Sequence, residues 1–439
     1  MKNLIHSSLM VTIVRVFGIG LQSIIIIFLA RELPIEEMGV FAFCYAILGL
    51  ARMLGPLGTD IVTMRRIASA KNKFAKDLHI SLNSSFVLVC CVTFSVSLIC
   101  IVGEFWVSTP LSSESIYGYS GVLWATISIP AFAITGLLTL QLRGFDYNVL
   151  AQIPDSIGLQ ILFGAGIIYA QSTGQLNIDT TLSLLAIAAW AAAVTYIAIR
   201  IWIGVELTAT PTFDAMRALI GESKDTLYAL SVTALSVRAP IFFAAALLGP
   251  AMVSILDIAI RFGTLPSITT SAVTSTFSPR FAIYLETQDR ANLSKALSLA
   301  SILAAVPALL CFILIASSPL YYGIETILPP EYANTYIPML LICGASLINA
   351  LFSPASSVLF MDSKGSVVGN FSLAQLILLC IMALVLADSM GIIGLAVAVC
   401  AGTFIRDAGL AFWVSRKMNL HFPPLAIFRK NKKKIREDI

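Results

Sequence analysis

Charge is scarce in this chain of 439 residues. Asp, Glu, Lys and Arg together make up 12% of it, about half of the roughly 25% usual in a soluble protein. Histidine is scarcer still, with three residues, His6, His79 and His421, all expected near one membrane surface and far apart in the sequence. Catalytic sets are missing. There is no HExxH, no GxSxG, no HxxxD and no GxxxxGK[ST] phosphate loop. The chain is therefore read as a non-enzyme, with no catalytic residue, no metal site, no cofactor and no nucleic-acid partner. Any active transport has to draw on an ion gradient (H+ or Na+), the membrane potential or the cargo's own gradient. The eight cysteines include no CxxC pair and all fall in apolar runs. They are expected to be small core hydrophobes rather than disulfide partners or metal ligands. Long polar stretches are lacking too. The longest outer loops, Glu104–Tyr119 and Leu320–Tyr336, are too short to fold as soluble domains.

What the chain has in quantity is apolar sequence, 58% of residues, with a mean hydropathy of +0.90. Apolar runs of helix-spanning length, about 20 residues, recur throughout. Transmembrane β-barrels are excluded, because their strands alternate over about ten residues. The expected fold is an all-α polytopic membrane protein with about twelve transmembrane helices in two six-helix lobes. The spans are placed at 8–30, 38–58, 81–103, 120–140, 153–172, 181–203, 227–248, 252–276, 297–318, 335–358, 366–387 and 391–415. The first is read as a retained span rather than a cleaved signal. The polar segment from Gly204 to Thr226 divides an N-terminal lobe, 1–204, from a C-terminal lobe, 227–416, with 205–226 as a cytoplasmic linker and 417–439 as a basic cytoplasmic tail.

The distribution of basic residues orients these spans. With twelve spans, 22 of the 28 Lys and Arg fall in loops on the side of the termini. The opposite loops hold Arg31 alone, among Glu32, Glu36, Glu37, Glu104, Glu114, Asp179, Glu325, Glu331 and Asp388. The positive-inside rule then puts both termini of this multi-pass protein in the cytoplasm. The tail KNKKKIRE is read as a topology determinant, with binding to anionic lipid as the alternative.

The five remaining basic residues, Arg15, Arg52, Arg238, Arg261 and Arg406, lie within spans. A charge at membrane depth costs at least a few kcal/mol, so it faces a protein interior or a watery cavity. Arg15 and Arg238 occupy the first span of each half, and Arg52 and Arg261 the second, the paired placement of two like-oriented repeats. A guanidinium is always charged and forks onto phosphate oxygens, so these arginines are candidates to line a site for an anionic substrate. The bland alternative is that some of them pair structurally or reach the interface, and Arg406, beside Asp407, is a candidate helix-end residue. Asp257 stands four residues before Arg261 on one helix face, as a coupling-ion or proton site or as a plain ion pair. Asp60, at the cytoplasmic end of the second span, is read as a further ion-pair or coupling candidate in an interfacial place. Prolines 56, 130, 154, 240, 266, 307, 338 and 354 fall in or at the edge of spans and suit helices that bend. Gln22, Gln141, Gln160 and Asn349 either contact sugar hydroxyls or link helices.

Several short stretches carry a family resemblance. LARELPIEEMGVFAF resembles the end of the first span, with its acidic loop and Gly-x-Phe, in polysaccharide flippases of the multidrug/oligosaccharidyl-lipid/polysaccharide (MOP) superfamily. LGPAMVSILDIAIRF, followed by Ser-Pro-Arg and ETQDRANLSKA, is similar to the signature of their second half, and ILPPEYANTYIPMLL to their outer segment before span ten. Ser254 and Asp257 depart from that pattern. The nearest branch resembled is the Wzx-type O-antigen flippases. The resemblance implies a bacterial inner membrane, a MATE-like fold and alternating access by rocking of two lobes around a cationic cavity. It implies undecaprenyl pyrophosphate bearing an oligosaccharide as substrate, for O-antigen or other surface polysaccharide of the lipopolysaccharide type, with Arg52 and Arg261 on the pyrophosphate. A polysaccharide polymerase and a chain-length regulator are the implied partners. The alternative within transport is an ion-coupled small-solute or multidrug exporter of the same superfamily, whose cavity should be acidic. The remoter one is a membrane polymerase or acyltransferase.

Overall fold

The computed structural model describes residues 2–70, 75–107, 121–205, 209–317, 327–362 and 364–418. Helix is the framework throughout, and no strand occurs among these residues. The order is α1 (Lys2–Glu32), α2 (Ile35–Leu54), α3 (Thr59–Ser69), α4 (Lys76–Val107), α5 (Gly121–Gly144), a π-helical turn (Pro154–Gly158) leading into α6 (Leu159–Ser172), and α7 (Ile178–Trp202). Then follow α8 (Phe213–Leu247), α9 (Pro250–Gly263), α10 (Pro266–Glu286), α11 (Arg290–Ala316), a 3-10 turn (Pro330–Thr335), α12 (Tyr336–Phe352), α13 (Pro354–Met361) and α14 (Gly365–Lys417). The protein is a multi-pass membrane protein. Its apolar segments satisfy their own backbone groups as helices, which hydrocarbon requires. Buried hydroxyls follow the same rule by donating back one turn, as from Thr93 to the Val89 carbonyl (2.7 Å) and from Thr139 to that of Thr135 (2.7 Å).

Helices overlie all twelve predicted spans, although by length and composition nine of the described helices qualify to cross a membrane, or ten if the bent pair α9 and α10 is one crossing. Two of the predicted spans merge into α14, whose 53 residues would reach about 80 Å at 1.5 Å per residue, far beyond a hydrocarbon core of about 30 Å. Gly391, at φ +55° and ψ −132°, breaks it at the first residue of the twelfth predicted span, directly after the loop that sequence placed at 388–390. The fifth predicted span is a short π turn followed by the 14-residue α6. Other predicted spans are interrupted. The second gives way at Gly55–Gly58 to α3, the eighth bends by 46° between α9 and α10, and the tenth divides at Ser353.

Two compact units form, 1–234 and 235–439. Their boundary lies within α8. The segment 205–226, predicted to be a linker, is helical from Phe213 onward. In the first unit α5 is the hub, packed by α2, α3, α4 and α7. Its apolar window is 78% buried, against 22% for α1 and α4. The exposed faces of the outer helices are apolar, with Leu98, Ile99, Ile168, Leu310, Leu314, Leu384 and Val385 on the surface, as a lipid solvent demands. In the second unit α12 is the hub for α9, α11 and α14. Phe281, Leu297, Val358, Leu359 and Val414 form a fully buried core beside it.

Prolines 130, 240 and 307 lie inside helices, while Pro56, Pro154, Pro266, Pro338 and Pro354 mark breaks or first turns. The cysteines are free, but only Cys44 and Cys343 are core residues. Cys91 and Cys100 lie on the outer face of α4, correcting the expectation that all eight are buried. His79, in the first turn of α4, is buried at 1% exposure. The outer loops over 108–120 and 318–326, His421 and the tail beyond 418 lie outside the described residues.

Candidate functional site

A cavity of about 130 Å³, open on one side, lies within the first unit. Three elements build it. Arg15, Gly18, Ile19 and Gln22 recur at helical spacing and bring one face of α1 to it. Tyr45 and Arg52, seven residues apart, do the same for α2. The π turn and the start of α6 supply Asp155, Ser156, Leu159 and Gln160, and Phe132 of α5 completes the lining.

Small residues let these elements meet. A side chain at Gly18 would overlap the backbone of Ser156, so α1 lies directly on the π turn. A side chain at Gly136 of α5 would overlap the Arg52 carbonyl oxygen, so α5 backs the last turn of α2. The amide of Gln22 donates to the Tyr45 hydroxyl at 2.7 Å and ties α1 to α2. Tyr45 in turn stacks on Phe41. The π turn widens the helix by one residue, a distortion frequent at functional sites. Here it carries Asp155 to Arg52, with which it forms an ion pair.

Charge in the cavity is unbalanced. Arg15 and Arg52 line it, and Arg143, in the last turn of α5, lies close enough to both for their charges to act on its own. Asp155 is the one carboxylate in the lining. Two guanidinium groups against one carboxylate in the lining leave a surplus of positive charge beside Tyr45, Gln22 and Gln160, which a phosphate bearing hydroxylated sugars would complement.

The other predicted site residues lie elsewhere. Arg261 binds Asp257 within α9, at 2.5 Å, and Asp257 is 4% exposed. Arg406 sits well inside α14, fifteen residues past the Gly391 break, and not at a helix end. Its guanidinium holds Asp407 with two bonds of 2.7 and 3.1 Å, and Asp407 also accepts from the Asn349 amide at 2.8 Å. Arg238 is half-buried on α8. Asp60 is buried in the first turn of α3. Of the predicted polar residues, Gln22 and Gln160 face the cavity, while Gln141 links α5 to Ser85 of α4 at 3.1 Å and Asn349 links α12 to α14. No cluster of His, Cys, Asp and Glu fit to hold a metal occurs among the described residues.

Sequence reasoning missed Asp155, which stands beside Pro154 at a span edge and reads as a loop residue. Its signal was a carboxylate between Pro154 and Gly158 inside an apolar run. It also placed Arg143 and Arg200 in loops. Arg200 is 3% exposed at the end of α7, donating to the Asn83 amide oxygen at 2.5 Å and stacking 5.2 Å above the Phe86 ring.

The architecture has solved counterparts. The lipid II flippase MurJ, in an inward closed conformation, is 15% identical with a TM-score of 0.72, covering 93% of this chain and 87% of its own. An inward-facing multidrug resistance MATE transporter of the MOP superfamily is 12% identical, also with a TM-score of 0.72, covering 93% and 98%. A MOP-superfamily transporter from Pyrococcus furiosus, described as having a binding pocket of reverse polarity, is 14% identical with a TM-score of 0.62, covering 94% and 95%. At these identities the likeness is one of fold, a fold shared by a lipid II flippase and by transporters of the MOP superfamily. A comparison with curated proteins gives no match. Residues 4–285, well over half of the sequence, match the family described as "Polysaccharide biosynthesis protein". The chain belongs to that polysaccharide biosynthesis protein family.

Proposed function

We propose that the protein flips an undecaprenyl-pyrophosphate-linked oligosaccharide from the cytoplasmic to the periplasmic leaflet of a bacterial inner membrane. Its product feeds O-antigen or another surface polysaccharide. In this reading it has twelve crossings, cytoplasmic termini and alternating access. The observation that carries the reading is the cavity lined by Arg15 and Arg52 against the single carboxylate of Asp155, with Arg143 nearby. A polyanionic head finds forked donors there, Gln22, Tyr45 and Gln160 offer hydrogen bonds to sugar hydroxyls, and the lipid chain stays in the bilayer. Family membership supports a polysaccharide precursor as cargo, and the fold shared with a lipid II flippase supports a lipid-linked one. A cationic-drug exporter would need a lining of the opposite sign.

The test is mass spectrometry of undecaprenyl-linked glycans in a host lacking the gene, with sidedness read from ligation to the periplasmic lipid acceptor. Complete units that accumulate without reaching the acceptor support flipping. Complete single units that do reach it point to a lost polymerase, and an unchanged profile points to an exporter.

A further inference from the structure

Four aspartates sit inside the helical packing of the two units. Asp155 is bound by Arg52, Asp257 by Arg261 and Asp407 by Arg406. The fourth, Asp60, is 7% exposed and has no basic partner among the described residues, and its Oδ1 receives no hydrogen bond there. A carboxylate buried this way favours the neutral acid, since ionisation there has neither water nor counter-charge to support it.

The place of Asp60 gives its protonation a mechanical consequence. α2 ends at Leu54, and the chain reverses through Leu57 and Gly58, both left-handed at φ +56° and +72°. It restarts as α3, with the Thr59 hydroxyl bonded to the Pro56 carbonyl at 2.6 Å. Asp60 follows at once, in an 11-residue helix outside the candidate membrane spans. The α carbon of Gly58 is closely covered by Ser223 and Leu227 of α8, with a substituent there only 3.2 Å from the Leu227 nitrogen. Arg52, in the cavity, lies on the last turn of α2 just before this reversal.

The charged groups on the surrounding elements leave Asp60 alone. On α3 itself Arg66 is engaged by Glu222 of α8 and by Ser81 of α4, and Arg65 is the other cation. Arg52 of α2 is bound by Asp155. Other titratable groups on these helices include Lys76, Asp77 and His79 of α4, Arg143 of α5, and Asp214, Arg217, Lys224, Asp225 and Tyr228 of α8. Among the described residues none of them contributes to the shift of the Asp60 carboxyl. Burial is the dominant influence and pushes it up to about 6, against a smaller downward pull from the N–H groups of Ile61 and Asp60 at the helix start.

We propose that Asp60 is a proton-binding site that operates the α2–α3 reversal: protonated, it stays packed beneath the turn, and ionised, it draws the start of α3 toward water. On deprotonation the O–H bond breaks heterolytically, the electron pair stays on the carboxylate and the proton passes to water. The packed conformation holds the acid at about 6, whereas a solvated Asp lies near 3.9. The packed form therefore has its full advantage below about pH 4 and loses it as pH rises through about 6, a change of roughly 100-fold in conformer ratio. The proton site does not rest on the identity of the cargo.

The test uses the full chain in lipid nanodiscs, without any transport readout. Infrared titration should show a carboxylic-acid band that disappears as pH rises through about 6, that is missing from Asp60→Asn and that returns in Asp60→Glu. Amide hydrogen exchange over residues 58–62, corrected for its intrinsic pH dependence, should rise by one to two orders of magnitude across the same interval in the wild type and stay flat in Asp60→Asn. A band that survives in Asp60→Asn, or an Asp60→Glu protein of native melting temperature with no titrating band, overturns the proton site. A titrating band with pH-independent exchange overturns its control of the reversal.

Discussion

Arg52 and Arg261 occupy corresponding places, each in the last turn of the second helix of its unit, yet their carboxylates come from different directions. Asp257 lies four residues before Arg261 on α9, so the helix itself fixes the distance between them. Asp155 reaches Arg52 from the π turn, across a helix interface, and the Arg52 side chain remains 32% exposed beside a cavity. Motion of α6 against α2 can part the second pair, whereas nothing short of unfolding α9 moves the backbones of the first pair apart. The comparison separates an arginine that is neutralised within its own helix from one that can exchange its internal carboxylate for an arriving anion.

The largest effect should break this comparison at the arginines. Arg52→Ala removes a charge-assisted contact worth about 1.5–3 kcal/mol, and export should fall about 10- to 100-fold or more while the protein still inserts. Arg52→Lys should keep part of the activity. Arg261→Ala strands the buried Asp257 and should instead lower the melting temperature, with export lost only in proportion to the folded protein. Equal export defects at equal stability would erase the distinction between the two units. Quantitative blotting of membranes, ligation of the polysaccharide and thermal unfolding in detergent supply the three readouts.

Asp155→Asn and Asp257→Asn sharpen it from the carboxylate side. If Asp155 holds the place of an arriving anion, its neutralisation should strengthen binding of inorganic pyrophosphate to the purified protein, by several-fold, and leave stability nearly intact. Asp257→Asn removes the buried ion pair with Arg261 and should destabilise the second unit with no gain in pyrophosphate binding. Pyrophosphate affinity that falls in Asp155→Asn would mean that the carboxylate positions Arg52 rather than competing for it.

Gly136 and Gly263 probe the packing behind the two arginines. A methyl at 136 overlaps the Arg52 carbonyl oxygen, a backbone atom that cannot swing aside. Gly136→Ala should cost about 1–3 kcal/mol by overpacking and depress export through displacement of Arg52. At Gly263 the same methyl meets the Met339 carbonyl oxygen and the Ile342 side chain at 2.9 Å. Gly263→Ala should therefore lower stability, measured by thermal unfolding, with a smaller effect on transport.

These contrasts also show what the sequence could and could not convey. The spans were legible because hydrocarbon leaves a backbone no alternative to helix, and apolar runs of about 20 residues announce it. The intramembrane arginines were legible for the same reason, since a lone charge stands out in such a run. What a charge pairs with was legible only at helical spacing, as in Asp257 and Arg261. Asp155 meets Arg52 from more than a hundred residues away, and its approach depends on a π turn that no local pattern specifies. Arg143 and Arg200 lie within a turn of their helix ends. Whether such a residue faces solvent, as sequence suggested, or turns inward to a cavity or an aromatic ring is decided by neighbouring helices. The breaks at Gly391 and Ser353 had glycine or proline beside them, but those residues are common in membrane helices and do not mark a break alone.

The smallest expected effects compare two helix starts, one in each unit. The Asn177 side chain caps α7 by accepting the Thr180 N–H at 2.8 Å, and Asp289 caps α11 by accepting that of Asn292 at 3.1 Å. Asn177→Ala should cost about 0.5–2 kcal/mol, and, because an amide does not titrate, the loss should be the same at every pH. The Asp289 carboxyl is held below the usual carboxylate range, first by the Asn292 backbone N–H and then by that residue's side-chain amide. A carboxylate lowered in this way contributes above its ordinary pKa and loses that contribution as pH falls through its lowered value. Asp289→Ala should therefore lower the melting temperature at neutral pH and converge on the wild type in acid. If the Asn177→Ala deficit were to shrink in acid in parallel, the pH dependence would belong to the membrane protein as a whole and not to the charged cap.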